Sequence, residues 1–182
     1  MVRSFHDRPL DPAVVDRILA AGMRGPSAGF TQGVELLVLQ GPEETGRYWD
    51  VALPVDRRAA FPWPGLLRAP VLVVILTSET AYRHRYAASD KGGGAALEVP
   101  WWHVDAAFAA LLLQLAAIDA GLGALFFAAH GVPALRSAFD FPEAFEPVGT
   151  VAIGHPAPDR RSSSVTGRPR RATAEMIHRG RW

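Results

Sequence analysis

No cysteine occurs among the 182 residues, which excludes a disulfide framework, a thiolate metal site and a thiol nucleophile. An excess of one charge is missing as well. Nineteen basic residues stand against eighteen acidic ones, a formal net charge of +1, so no broad field attracts nucleic acid or an anionic membrane. The charged N-terminus lacks the apolar centre and small-residue cleavage site of a secretory leader. The longest apolar run, 106–118, carries Gln114 and ends at Asp119, which is short for a bilayer span. Together these absences predict a cytoplasmic protein with no membrane partner. Several catalytic signatures are absent too. The histidines at 6, 84, 103, 130, 155 and 178 show no two-His helical spacing with an intervening Glu, so no metal site is expected. No Gly-x-Ser-x-Gly elbow occurs, Gly121-x-Gly123 lacks a third glycine, and no Gly-Lys-Ser/Thr follows Gly92–Gly94.

What is present reads as one domain over 1–182, with strands and helices in alternation. Asp11 suits an N-cap and Pro12 the first helical position, and Val15, Ile18, Leu19 and Gly22 then fall on one face. A polar, Gly-rich loop over 24–33 follows, then a strand over 34–39. A short amphipathic helix is expected over 42–53, and Phe61-Pro62-Trp63-Pro64-Gly65 breaks regular structure. The near-continuous apolar run 69–77 predicts a central strand covered on both faces. Residues 79–100 read as irregular, with Lys91–Gly94 as a lid or surface excursion. A helix apolar nearly all round is expected over 103–119, with Gly121 as its C-terminal stop. A strand at 125–127, a helix over 133–139 and a strand over 148–153 complete an α+β or α/β sandwich of helices against a small sheet. By composition, 156–171 is a surface extension.

Four segments in this order resemble the nitroreductase family of flavin enzymes. They are the basic start Arg3-Ser4-Phe5-His6-Asp7-Arg8-Pro9-Leu10, the loop Pro26-Ser27-Ala28-Gly29-Phe30-Thr31-Gln32 between helix and apolar strand, the segment 120–126 leaving the long helix, and the last strand ending Gly154-His155-Pro156. The resemblance implies an α+β three-layer sandwich, with a small mixed or antiparallel sheet between helices. It also implies a homodimer in which residues 156–182, including a C-terminal helix, pack on the partner subunit.

The same resemblance implies FMN as cofactor and NAD(P)H as electron donor, with hydride passing through the flavin N5 to an electron-poor small molecule such as a nitro compound or quinone. No catalytic side chain is then needed, because the flavin carries the chemistry and the protein binds and orients it. Arg3, Arg168 and Arg170 match the family's phosphate-binding basic residues, and arginine suits that task through its planar fork of donors. Pro26, Ser27 and Gln32 match the loop that contacts the flavin, and Phe127 and Ala128 the backbone stretch near its N5. Trp101 and Trp102 are candidates for stacking on substrate, with Phe61, Trp63 and Tyr82 nearby in irregular segments. The chain departs from the family pattern in places, among them Gly33-Val34 where Pro-Trp often follows the Gln. The first Arg and the Ser of the basic motif have no counterpart before Arg3, and Phe30 or its neighbour stands where many relatives carry Asn. These departures leave open a non-catalytic flavin-binding or sensing module, and the Arg-rich C-terminal segment leaves open the same fold holding a deazaflavin, whose larger polar tail it would also suit.

Overall fold

In the computed structural model, residues 1–91, 99–128, 132–160, 167 and 169–182 are described. Along the chain the helices and strands are α1 (Pro12–Gly22), β1 (Val34–Gln40), α2 (Gly41–Ala52), α3 (Val55–Arg58), β2 (Val71–Thr77), α4 (Glu79–Tyr86), α5 (Trp101–Asp119), β3 (Gly123–Phe127), α6 (Val132–Phe139) and β4 (Glu146–Gly154). The strands form one antiparallel sheet in the order β1-β2-β4-β3. All seven residues of β2 are buried, as its unbroken apolar run requires of a strand with no wet face.

Because side chains alternate across a strand, β2 feeds two cores. Val71, Val73 and Ile75 pack with Val15 and Ile18 of α1 and with Ala106, Ala110 and Leu113 of α5. Leu72, Val74 and Leu76 pack with Tyr48 and Trp49 of α2 and Leu135 of α6. Helices therefore cover both faces, and the chain is an α+β sandwich of three layers. Asp11 starts α1 by accepting the Ala13 N–H at 2.8 Å, with Pro12 at the first helical turn. Gly22 ends the same helix directly beneath α5, where a Cβ would lie 2.6 Å from the Leu113 side chain.

Three expectations need correction. Residues 79–86 form α4 rather than irregular chain, because Ser78 caps the helix by accepting the Ala81 N–H. Tyr82 is that helix's one buried residue, so no apolar stripe announces it. The long helix begins at Trp101, not His103, so Trp101 and Trp102 form its first turn. At 19 residues it is long and apolar enough to cross a membrane by length and composition alone, but it is wedged between α1 and the sheet. In place of a C-terminal helix there is a single 3-10 turn at Thr173–Glu175, and the described residues from Pro169 onward are exposed. Of the expected lid run Lys91–Gly94, residues 92–94 lie outside the described residues.

Candidate functional site

The loop between α1 and β1 is held in an unusual backbone shape. Gly29, Phe30 and Gln32 have φ of 63°, 55° and 55°, left-handed values that cost a non-glycine residue on the order of 1–2 kcal/mol. Hydrogen bonds from several directions impose them. Asp105, buried in α5, accepts the Ala28 N–H at 2.8 Å and the Tyr82 hydroxyl at 2.7 Å. Arg85 donates to the Gly29 carbonyl at 2.8 Å, and the Ser27 hydroxyl oxygen accepts the Gln32 N–H at 2.8 Å. Burial, reinforced by the Asp105 carboxylate, pushes the Tyr82 phenol well above its ordinary pKa. The loop encloses a 260 Å³ cavity whose lining includes Met23, Pro26, Ser27, Phe30, Gln32 and Asp105. Phe30 itself is 78% exposed.

A second site is built around Arg3. The N-terminal segment runs beside β3, with the Val2 N–H donating to Ala124 O at 3.1 Å, and Phe5 bridges to Pro156. Asp159 accepts the backbone N–H of Arg3 through Oδ2 at 2.9 Å and that of Arg160 through Oδ1 at 2.8 Å. The guanidinium carbons of Arg3 and Arg160 lie 5.1 and 4.9 Å from the centre of the Trp63 ring, within cation–π range. Arg68 donates to Phe5 O at 3.0 Å. These three arginines, Trp63 and Asp159 line a 680 Å³ cavity. Gly65 lets the wall close up, since a Cβ there would come within 2.9 Å of Ser4 Cα.

A 350 Å³ cavity shares Arg3, Phe61 and Trp63 with the 680 Å³ one and adds Tyr48, Trp49 and Phe127. Phe127 stacks on Trp49 with ring centres 5.6 Å apart and planes at 12°. Tyr48 and Thr150 share a 2.9 Å hydrogen bond, and burial pushes the Tyr48 phenol up to about 12. Of these two adjoining cavities one is thus basic and the other aromatic, which suits a molecule with an anionic end and a flat ring.

The sheet register shows which candidates come together. Arg3 and Phe127 share the aromatic cavity, with Ala128 exposed just beyond β3. Pro26, Ser27 and Gln32 share the loop cavity. Trp101 and Trp102 start α5 near it: Thr77 donates to Trp102 O at 3.0 Å, and Asp105 one turn on holds the loop. Trp102 is buried with Arg83 5.6 Å from its ring centre, whereas Trp101 is half-buried. Val34, Thr77 and Glu146 mark the loop end of the sheet, and Gln40, Val71 and Ile153 the Arg3 end. Strands of this length separate the two ends by about 20 Å. The candidate flavin-binding residues of one chain therefore fall in two places. Arg170 is exposed in the C-terminal segment, and Arg168 lies outside the described residues. Asp105, Arg68, Arg160 and Trp49 were not anticipated, although an acid inside an otherwise apolar helix was a visible sign for Asp105.

The model of the nitroreductase family matches residues 1–155. The chain belongs to the nitroreductase family. A curated relative, the NADPH-dependent oxidoreductase of Staphylococcus aureus, is 24% identical over 189 aligned positions, covering all of this nitroreductase-family chain and 70% of the relative. Among solved structures, the hypothetical oxidoreductase YcnD of Bacillus subtilis superposes with a TM-score of 0.74 at 25% identity, covering 100% of this chain and 70% of that one. An FMN-dependent nitroreductase of Clostridium difficile R20291 superposes with a TM-score of 0.69 at 17% identity, covering 100% and 94%. Each likeness spans both the Arg3 site and the Pro26–Gln32 loop of the nitroreductase-family chain.

Proposed function

We propose that this chain is an FMN-dependent oxidoreductase that takes hydride from NAD(P)H and delivers it to an electron-poor small molecule such as a nitro compound or quinone. The observation that carries this reading is the pair of adjoining cavities that share Arg3, Phe61 and Trp63, one basic and the other aromatic. Their donor set matches what the cofactor requires: guanidinium forks for a phosphate and aromatic faces for a tricyclic ring. The names of similar proteins, an NADPH-dependent oxidoreductase and an FMN-dependent nitroreductase, agree with it.

When bound, the flavin supplies the hydride chemistry. The chain's own residues bind and orient. Arg3, joined by Arg168 and Arg170 from the C-terminal segment, holds the phosphate, while Phe127 on its Trp49 platform and the backbone at Ala128 meet the ring. Pro26, Ser27 and Gln32 reach the same flavin from a second copy of the chain, since their own Arg3 lies at the far end of the sheet. Phe108, Leu111, Leu115 and Ile118 form an exposed apolar stripe on α5 of the kind that marks a protein interface, and it supplies the dimer contact. Trp101, at the start of α5, takes the substrate-stacking role better than buried Trp102.

The test is an FMN titration of purified protein followed by NAD(P)H oxidation with a nitroaromatic or quinone acceptor. The wild type binds FMN and turns over. Arg3→Gln weakens FMN binding roughly tenfold or more, the worth of one charge-assisted hydrogen bond. Folded protein that binds no FMN rejects the reading.

A further inference from the structure

We propose that Arg160 is a further phosphate ligand of this chain, acting beside Arg3 at the Trp63 ring, with Asp159 and Trp63 as the residues that position both. The proposal rests on the flavin reading above and adds a residue to it.

Three guanidinium groups, those of Arg3, Arg68 and Arg160, line one cavity. Among the described residues no carboxylate oxygen lies within 4.0 Å of any of their nitrogens: the ion pairs formed by arginine elsewhere are Arg58–Asp50, Arg83–Glu79, Arg85–Asp90 and Arg171–Glu175. With Asp159 as the one carboxylate on the cavity wall, the three guanidinium groups leave it with a positive excess, which favours an anion at their centre. Asp159 is the acid nearest to hand, yet it spends its two oxygens on the backbone N–H groups of Arg3 and Arg160. That use ties two segments 156 residues apart in sequence and brings their side chains to one place, instead of neutralising them.

Trp63 supplies the second constraint. Both guanidinium carbons stand about 5 Å from its ring centre, so both cations are held at one aromatic ring, a contact that uses none of their N–H donors in hydrogen bonds. One Arg160 nitrogen, Nη2, donates to Pro62 O at 2.8 Å, which fixes the fork's orientation and leaves further N–H groups for a ligand. Arg68 is already committed to Phe5 O and contributes mainly as charge. Arg160 is exposed, so its removal leaves the core untouched.

Riboflavin and FMN differ only in the phosphate, so the ratio of their dissociation constants reads the phosphate contacts alone. In the wild type FMN binds more tightly than riboflavin. Arg160→Gln weakens FMN roughly ten- to a hundred-fold and leaves riboflavin unchanged, Arg160→Lys recovers part of the loss, and inorganic phosphate competes less well with FMN in the glutamine variant. Trp63→Leu narrows the same ratio with Arg160 in place, because the two forks lose their common support. If Arg160→Gln keeps the wild-type ratio while both flavins still bind, Arg160 is no phosphate ligand and the flavin reading survives. If the folded wild type binds neither flavin, both fall together.

Discussion

Asp105 is the residue on which the Pro26–Gln32 loop depends. It sits in an otherwise apolar helix and accepts hydrogen bonds from the Ala28 amide and the Tyr82 hydroxyl. Asp105→Ala leaves both donors without an acceptor in a place with little water, a loss of about 3 kcal/mol in urea unfolding. Asp105→Asn retains one acceptor and loses less. Equal stability of the alanine variant and the wild type contradicts this account of the loop. Tyr48 makes a pH prediction. Its proton is held up to about 12 in the folded chain against about 10 in the unfolded one, so above pH 10 the unfolded state gives up a proton that the folded state keeps. Tyr48 therefore accounts for a fall in stability of about 2–3 kcal/mol as pH rises from 10 to 12, beside the fall due to Tyr82, whose phenol is raised too, and Tyr48→Phe makes the slope shallower by its own share. An unchanged slope in the variant rejects Tyr48 as a source. At this scale the chain was legible where chemistry is local. Ser27 and Gln32 stood out as polar groups in a Gly-rich loop, but that the Ser27 oxygen turns inward to the Gln32 amide depends on left-handed backbone that no side chain announces.

Among the elements, the junction of α1 with α5 carries the clearest consequence. Gly22 lies beneath Leu113, and a Cβ would approach its side chain to 2.6 Å. Gly22→Ala gains up to about 1 kcal/mol in helix propensity but overpacks a tight contact at a cost of typically 1–3 kcal/mol. The net expectation is a lower urea midpoint with unchanged slope, and a higher midpoint shows that Leu113 has room to move. Elements with a strong period were legible from sequence. The β2 run announced a covered strand, and Asp11-Pro12 announced α1. α4 was not, because Tyr82 alone is buried and a single apolar residue makes no stripe. The start of α5 was placed too late because Pro100 and the two tryptophans read as an approach to the helix, when Pro100 is its N-cap.

For the whole molecule, the account turns on two ends of one sheet. Each half of the candidate site was visible in the sequence, but their separation follows from strand register, which pairs residues far apart in the chain and leaves no local trace. Arg3 and the Pro26–Gln32 loop meet on one ligand only if two chains associate, and the stripe of Phe108, Leu111, Leu115 and Ile118 is the apolar surface available for that. Leu111→Glu combined with Leu115→Glu places charges in that contact, so sedimentation shows the wild type as a dimer and the variant as a single chain with weakened flavin binding. A single chain that binds flavin as well as the dimer does contradicts the shared site. The most direct measurement is the visible absorption spectrum of the purified protein together with the mass of the small molecule released on denaturation. The account predicts yellow protein that releases FMN, or colourless protein that becomes yellow on adding it. Folded protein that stays colourless with FMN, or that releases a deazaflavin, contradicts it.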